Sequence, residues 1–357
     1  MALTLSHGGP TMFRSPAPST QVLVGTIDGV VCMERKTDGS GWYVAQRTLT
    51  DKHIHALLIE PASGTIFAGV NHGSIFASSD GGHTWEQRDH GLTQPDVYSL
   101  ACVELATGPR LYAGTEPAHL FYSDDLGHRW TELPALRSVD MSKWGFPAPP
   151  HIAHTKHITF HPRDPHTLFV GVEQGGLLKS TDDGRTFQVI PGMDDDVHRT
   201  VINPLNPNHM YITTGIGMYV SADGGETWER WTDLHHEIGG YPDLLVLHPR
   251  QPELMFVASA RKGPGAWFQE HYAGSRISKS TDAGRTWKAV QLGSPALLPT
   301  AFEAMCLEDW GNSFSLFGAT ATGEVWCSDD GGEQWTEVLS DLAPISKGRH
   351  YAAFVTA

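Results

Sequence analysis

The sequence predicts an all-β protein built from repeated units, each of which forms a small antiparallel sheet. Six copies of the pattern Ser-x-Asp-x-Gly-x-x-aromatic run through the 357 residues. They begin at Ser78, Ser123, Ser180, Ser221, Ser280 and Ser328. About 40 to 60 residues separate neighbouring copies, which is the repeat length of a propeller blade with insertions. The 38 Gly and 23 Pro residues suit many short strands joined by tight turns.

Each copy of the pattern predicts the tight turn of a β-hairpin. The Asp and Ser oxygens accept hydrogen bonds from turn amides, Gly supplies a positive φ, and the aromatic side chain packs in the next strand. Two further apolar runs precede each copy, such as Ala56–Ile59 and Ile66–Val70 before Ser78. Each unit therefore consists of strands A, B and C, the repeated turn and strand D. This interpretation makes the repeated Asp residues structural rather than catalytic.

A seventh unit is divided between the two ends of the chain. Val22–Thr26 and Val30–Met33 resemble strands B and C, and Trp42 is the aromatic residue of a decayed turn. No strand A precedes them, whereas Tyr351–Val355 has no strand after it. We therefore predict a seven-bladed β-propeller with four antiparallel strands per blade, in which the C-terminal strand completes blade one and removes a free edge. Residues 1–20 would form an N-terminal extension and residues 21–357 a single domain.

The repeated turns resemble the Asp-box (BNR) repeats of sialidase-like β-propellers, a class that includes many glycoside hydrolases. This resemblance covers nearly the whole chain and implies the fold, but many unrelated activities use that fold. A true sialidase would carry a Phe/Tyr-Arg-Ile-Pro motif before the first repeat. Phe13-Arg14-Ser15-Pro16 has a similar outline but lacks the Ile, so the resemblance does not extend to sialidase activity.

Charge and hydropathy restrict the partners and the location. The net charge of −15 argues against binding to nucleic acid or to an anionic membrane, because both need a basic patch. No basic segment followed by an apolar run marks a signal peptide, and no apolar stretch is long enough to cross a membrane. The four Cys residues lie in apolar runs without a Cys-x-x-Cys motif. We expect a cytoplasmic monomer.

Polar residues gather where the A strands begin. The B–C loops and the D-to-A connections share one face of a propeller, around the central channel, and this is the expected ligand face. Aligning the A strands predicts two stacked rings of side chains, because residues two apart in a strand point the same way. The first ring comprises His55, Tyr98, Lys156, His198, Asp243 and Glu303. The second comprises His53, Asp96, His154, Asp196, Tyr241 and Ala301.

The leading hypothesis is a metal-dependent enzyme that acts on a small molecule in this His-rich channel. Several imidazoles with one carboxylate would suit Zn, Fe, Mn or Cu, and an open coordination position would make the metal reactive. Candidate metal ligands are His53, His55, His154, His157 and His198. Asp196 and Glu173 would orient the ligating imidazoles.

Two alternatives remain open at this point. A metal-free glycoside hydrolase or lyase would use Asp243 and Glu303 as paired carboxylates, or Asp196 beside His198 as a general base. Tyr98 and Arg199 are further catalytic candidates. The other alternative is a non-catalytic scaffold or binding protein.

Two insertions on the ligand face favour a pocket for a small molecule or a glycan. Residues 137–150 contain Trp144, and residues 260–275 contain Trp267 and His271. Long loops at such places commonly form pocket walls, although exposed aromatic residues also occur at partner interfaces. Together with Glu173 and His119 of the B–C loops, these three residues are the candidate substrate-binding residues.

Overall fold

The computed structural model, which describes residues 2–146, 151–293 and 296–355, confirms a seven-bladed β-propeller. Each blade is a sheet whose neighbouring strands pair antiparallel, except for one parallel pairing in blade one and one in blade seven. Blade one contains β1 (Ala2–Leu5), β3 (Gln21–Thr26), β4 (Gly29–Arg35) and β5 (Trp42–Thr48). Blade two contains β6 (Ile54–Ile59), β7 (Ile66–Val70), β8 (Ser74–Ser78) and β9 (Glu86–Gln87). Blade three contains β10 (Asp96–Leu105), β11 (Gly108–Glu116), β12 (Leu120–Ser123) and β13 (Thr131–Glu132). Blade four contains β14 (His154–His161), β15 (Asp164–Glu173), β16 (Gly176–Ser180) and β17 (Gln188–Ile190).

The remaining blades follow the same plan. Blade five contains β18 (Val197–Ile202), β19 (Met210–Thr214), β20 (Gly217–Ser221) and β21 (Glu229–Arg230). Blade six contains β22 (Tyr241–His248), β23 (Gln251–Ala260), β24 (Arg276–Ser280) and β25 (Lys288–Ala289). Blade seven contains β26 (Phe302–Asp309), β27 (Phe314–Thr320), β28 (Val325–Ser328) and β29 (Thr336–Leu339), with β2 (Met12–Arg14) as a fifth strand. An α-helix, α1 (Pro264–Glu270), and two short 3-10 helices, Pro134–Ser138 and His350–Ala353, complete the structure.

The repeated turns connect the last two strands of blades two to seven, as the pattern predicts. In blade two, Ser78 Oγ donates to Asp80 Oδ1 over 2.8 Å, and Gly82 N donates to Ser78 Oγ over 2.9 Å. Thr84 N donates to Asp80 Oδ1 over 2.9 Å, which closes the turn. The following aromatic residues pack between blades, and Trp130 of blade three is 2% exposed. These Asp side chains therefore hold the turns.

The predicted closure of blade one by the C-terminal strand is wrong. Its innermost strand is β1, which pairs parallel to β3 with Leu3 opposite Val22, and buries Leu3 and Leu5. Residues 350–353 form a 3-10 helix instead of a strand. The N-terminal segment, rather than the C-terminal one, forms this strand because its alternating apolar side chains fill the space between blades one and seven. Part of the predicted N-terminal extension thus belongs to the propeller.

The N-terminal segment also fills the central channel. After β1 the chain turns through residues 6–9 and returns as β2 along β26. At this tip, Gly8 N donates to the carbonyl of His55, and Leu100 N donates to the carbonyl of Gly8. A Cβ on Gly8 would overlap the backbone carbonyl of Tyr98, so only glycine allows the chain to pass this close. We call residues 2–14 the N-terminal hairpin.

The described part of the chain contains no helix long and apolar enough to cross a membrane.

Candidate functional site

The first predicted ring corresponds to a repeated irregularity in the innermost strands. In blades two to seven, the pairing of strands A and B skips one residue, and the skipped residue is the ring residue in every case. These bulged residues are His55, Tyr98, Lys156, His198, Asp243 and Glu303. A β-bulge redirects the side chain of its extra residue, and bulges are frequent beside functional sites. The propeller uses this device six times to direct polar side chains to its centre.

The ring side chains form a buried network of opposite charges. Lys156 Nζ of blade four lies 3.0 Å from Asp243 Oδ1 of blade six and 3.5 Å from Glu173 Oε2. Burial alone would raise the pKa of Asp243, but Lys156 and His198 hold it well below its usual range. Burial likewise opposes ionisation of Glu173, yet Lys156, Lys347 and His154 hold its pKa well below its usual range. Both carboxylates are therefore ionised in the folded protein.

Blade one contributes no bulged residue, since β1 pairs without a register shift. Residues from the two ends of the chain take its place. His7 Nδ1, at the tip of the N-terminal hairpin, lies 3.0 Å from the backbone carbonyl of Glu303, and Arg199 donates to the carbonyl of His7. From the C-terminal segment, Lys347 Nζ binds Glu173 Oε1. Burial lowers the pKa of His7 well below its usual value, so this imidazole is neutral.

Beside this network lies a row of carboxyl and imidazole groups that reaches solvent at both ends. His154 Nε2 lies 2.6 Å from Glu173 Oε2, and His154 Nδ1 lies 3.3 Å from Glu116 Oε2. Ligand atoms of Glu173, Asp196 and His198 lie within 4.8 Å of one another. We call these five residues the carboxylate–imidazole chain. Its two ends are partly exposed, with 26% for the Glu116 side chain and 18% for the Asp196 side chain, while the middle is buried.

Asp196 is ionised and closely confined. Its Oδ1 lies 3.5 Å from His198 Nε2. Burial opposes the charge of the carboxylate, but His198 lowers its pKa below the ordinary value. Oδ2 lies against Gly215, where a Cβ would overlap it.

Aromatic side chains form the wall above His154. The ring of Tyr98 stacks on His154 with centroids 3.8 Å apart, and Phe146 meets it edge-on at 5.3 Å. Trp144 lies over the B–C turn of blade four, against Gly175. The first insertion thus places two partly exposed aromatic side chains beside the carboxylate–imidazole chain, although residues 147–150 of that insertion lie outside the described residues.

A metal-dependent centre built from the predicted histidines is not supported by this geometry. His157 Nε2 accepts a hydrogen bond from Thr200 N over 2.7 Å, between blades four and five, and His53 Nε2 bonds the carbonyl of Ser346. His55 packs against His53 and Tyr98. Among the described residues, the one cluster with metal-ligand spacing is Glu173, Asp196 and His198. Two lysines already balance the charge of Glu173.

Most of the predicted catalytic groups lie out of reach of a substrate. Asp243 is 5% exposed and Glu303 is fully buried, with Lys347 N donating to its Oε2 and His350 Nδ1 lying 3.0 Å from its Oε1. Tyr98 stacks inside the channel, and burial raises its pKa well above the usual value. Burial lowers the pKa of Arg199 to about 10. Asp196 is the exception, because part of its side chain reaches solvent.

The predicted substrate-binding residues are distributed over different environments. Trp267 is 1% exposed and packs against Tyr241 and Phe354, and His271 Nδ1 bonds the carbonyl of Ala353. The second insertion therefore anchors the C-terminal segment. His119 pairs with Glu132 over 2.9 Å, away from the channel. Glu173 and Trp144 belong to the carboxylate–imidazole chain and its aromatic wall.

The residues of this site that were not among the sequence-derived candidates are His7, Glu116, Phe146 and Lys347. Phe146 lies in the insertion that sequence analysis singled out, and its position next to Trp144 was a usable signal. Lys347 is an isolated lysine, 174 residues from its partner Glu173, and the sequence around it has no distinguishing pattern.

Comparisons with known proteins show a β-propeller of the kind found in glycoside hydrolases. The profile of a family described as Sortilin, neurotensin receptor 3 matches residues 175–297. Xyloglucanase Xgh74A from Acetivibrio thermocellus is 25% identical over 226 residues, which cover 53% of this chain and 26% of the xyloglucanase. The chain thus spans about a quarter of the length of this curated relative.

Solved structures are similar in fold at low sequence identity. The GH74 xyloglucanase from Xanthomonas campestris superposes with a TM-score of 0.69 at 17% identity, covering 94% of this chain and 55% of that protein. YCF48 bound to D1 peptide superposes with a TM-score of 0.58 at 13% identity, covering 95% of this chain and 93% of that protein.

Proposed function

We propose that the protein is a metal-free glycoside hydrolase that uses Glu116 and Asp196, the two accessible ends of the carboxylate–imidazole chain. The proposal rests on the observation that two partly exposed carboxyl groups lie at opposite ends of a buried row of proton-binding groups. Glycoside hydrolysis needs two carboxyl groups, one protonated and one ionised. This pair replaces Asp243 and Glu303, which are buried and occupied by other contacts.

In this proposal the two ends of the carboxylate–imidazole chain take opposite roles. Glu173 is ionised and can only accept, so His154 Nε2 carries the proton in their 2.6 Å contact. The other nitrogen, Nδ1, lies 3.3 Å from Glu116 Oε2, and in this proposal Glu116 is the general acid. Asp196, whose pKa is lowered by His198, is the general base or nucleophile.

The surroundings favour a neutral glucan as the substrate. Phe146 and Trp144 offer apolar ring faces beside the carboxyl groups, and the buried lysines are all engaged by carboxylates. The 25% identity to a xyloglucanase supports a β-glucan backbone. An anionic sugar would be repelled by the two carboxyl groups.

The experiment measures the release of reducing ends from xyloglucan, mixed-linkage β-glucan, xylan and polygalacturonate. Wild-type protein should act on a neutral glucan. In Glu116→Gln and in Asp196→Asn the rate of reducing-end release should fall at least about 10²-fold. Asp223→Asn, in the repeated turn of blade five, is the matched control and should retain wild-type activity. No release from any of the glycans, or equal release by all variants, would refute the proposal.

The second candidate function is that of a non-catalytic scaffold that binds peptides. It is favoured by the N-terminal hairpin, which fills the channel, and by the likeness in fold and length to a propeller solved with a bound peptide. Binding to a peptide array without hydrolysis of any glycan would support this candidate over the hydrolase.

A further inference from the structure

The C-terminal segment, residues 344–350, spans the ligand face and bonds several blades. Ile27 N of blade one donates to the carbonyl of Pro344, and His53 of blade two bonds the carbonyl of Ser346. Lys347 N donates to Glu303 Oε2 of blade seven over 2.8 Å. These contacts hold the backbone of Lys347 at the mouth of the channel.

The side chain of Lys347 reaches inward to blade four. The side chain is 1% exposed, and its ammonium group binds Glu173 Oε1 and lies 5.8 Å from the centroid of the Phe146 ring. Burial opposes its charge, but Glu173 and Asp243 raise the pKa of Lys347 above its usual value. One oxygen of Glu173 is thus taken by Lys347, which leaves Oε2 for His154 Nε2.

We propose that Lys347 is a positioning residue that fixes the proton on Nε2 of His154 by holding Glu173 ionised and correctly rotated. The carboxylate–imidazole chain is therefore incomplete without the C-terminal segment. The catalytic meaning of this inference rests on the proposed function, because it is Glu116, on the far side of His154, that acts as the acid. The arrangement of protons itself does not depend on any substrate.

The charge of Lys347 also acts on the surroundings of His154 through Glu173. Six charged or titratable groups lie around His154, either near its ring or against its partner Glu173. They are His55, Tyr98, Glu116, Glu173, Lys156 and Lys347. Removing the Lys347 cation makes the surroundings of the carboxylate–imidazole chain more negative.

The test compares Lys347→Met, which keeps an apolar stem, with Lys347→Arg, which keeps the charge. In Lys347→Met the basic limb of the pH–rate profile should move up by about one pH unit, and the ¹⁵N NMR spectrum should no longer show His154 protonated at Nε2 alone. Lys347→Arg should restore the wild-type limb. Unchanged pH dependence in Lys347→Met, with activity falling only in proportion to the folded fraction, would overturn the proposal and leave a structural role.

A measurement on the wild-type protein covers the case in which Lys347→Met does not fold. The ¹⁵N spectrum should show His154 protonated at Nε2, and protonation at Nδ1 alone would overturn the proposal. Because neither NMR experiment needs a substrate, a protein without hydrolase activity would refute the proposed function and still test the role of Lys347.

Discussion

The carboxylate of Asp196 lies directly against the backbone of Gly215, so that a Cβ at residue 215 would overlap Oδ2. The peptide of Gly215 is anchored there, because its N–H donates to the carbonyl of Asp196 over 3.1 Å. The B–C loop of blade five thus sets the position of the proposed base, and no positive φ requires glycine at this place.

Gly215→Ala should therefore displace the Asp196 carboxylate without unfolding the protein. We expect kcat/KM to fall by about 10²-fold, the usual effect of a misplaced catalytic group, with little change in Tm. Gly265→Ala is the matched control, because a Cβ there meets no atom within 4 Å. Wild-type kinetics in Gly215→Ala would show that Asp196 does not act at this position.

The N-terminal hairpin should be needed for stability. A Cβ at Gly8 would overlap the backbone carbonyl of Tyr98, which cannot move without shifting β10. Gly8→Ala should lower the free energy of unfolding by about 3 kcal/mol, measured by urea denaturation. In Gly145→Ala the new Cβ has 4.0 Å of clearance, and this control should unfold like the wild type. Equal stability of both variants would contradict the path of the hairpin.

Stability should fall as the pH drops below about 6.5. Burial lowers the pKa values of His7, His55 and His157 well below the usual one, so these imidazoles stay neutral in the folded state while the unfolded chain binds protons. Below about pH 4.5, protonation of Glu173 and Asp243 in the unfolded chain adds to the loss.

Urea titrations of His157→Gln between pH 7.5 and 5.5 check this dependence. The variant should be less stable than the wild type at pH 7.5. Its free energy of unfolding should, however, fall less steeply as the pH drops, with a slope that is smaller than the wild-type slope by up to about 1.4 kcal/mol per pH unit. His90→Gln, at an exposed position, should keep the wild-type slope. Identical slopes in all three proteins would mean that His157 is charged in the folded state.

The repeats made the fold predictable, because each of blades two to seven carries its own turn signal and its own polar residue at the start of strand A. The ring from His55 to Glu303 could be aligned for the same reason, although the β-bulges that create it leave no mark in the sequence. Closure of blade one could not be predicted, because β1 has four residues, pairs parallel and has no turn signal.

The site was harder to predict than the fold, since its chemistry depends on contacts between distant residues. Sequence spacing placed Asp196 beside His198, which the structure bears out at 3.5 Å. The same reasoning could not show that Lys156 neutralises Asp243 across the channel, or that Lys347 does so for Glu173. Because residues far apart in sequence form these charge pairs, the centre of the propeller is packed with side chains where the sequence predicted an open pocket.

The metal hypothesis makes an opposing prediction that is easily measured. With the histidines engaged as described, treatment with a chelator should change neither the glucan hydrolysis rate nor Tm, and elemental analysis should find less than stoichiometric Zn, Fe, Mn or Cu. Stoichiometric metal that is lost in His198→Ala would instead support the histidine centre.

The most direct test of the central claim compares Glu116→Gln and Asp196→Asn on a glucan and on an aryl oligosaccharide whose leaving group needs no proton. Glu116→Gln should lose at least about 10²-fold on the glucan but stay near wild type on the aryl substrate, whereas Asp196→Asn should fail on both. If both variants cleave the glucan at the wild-type rate, Glu116 and Asp196 are not the acid and base of this protein.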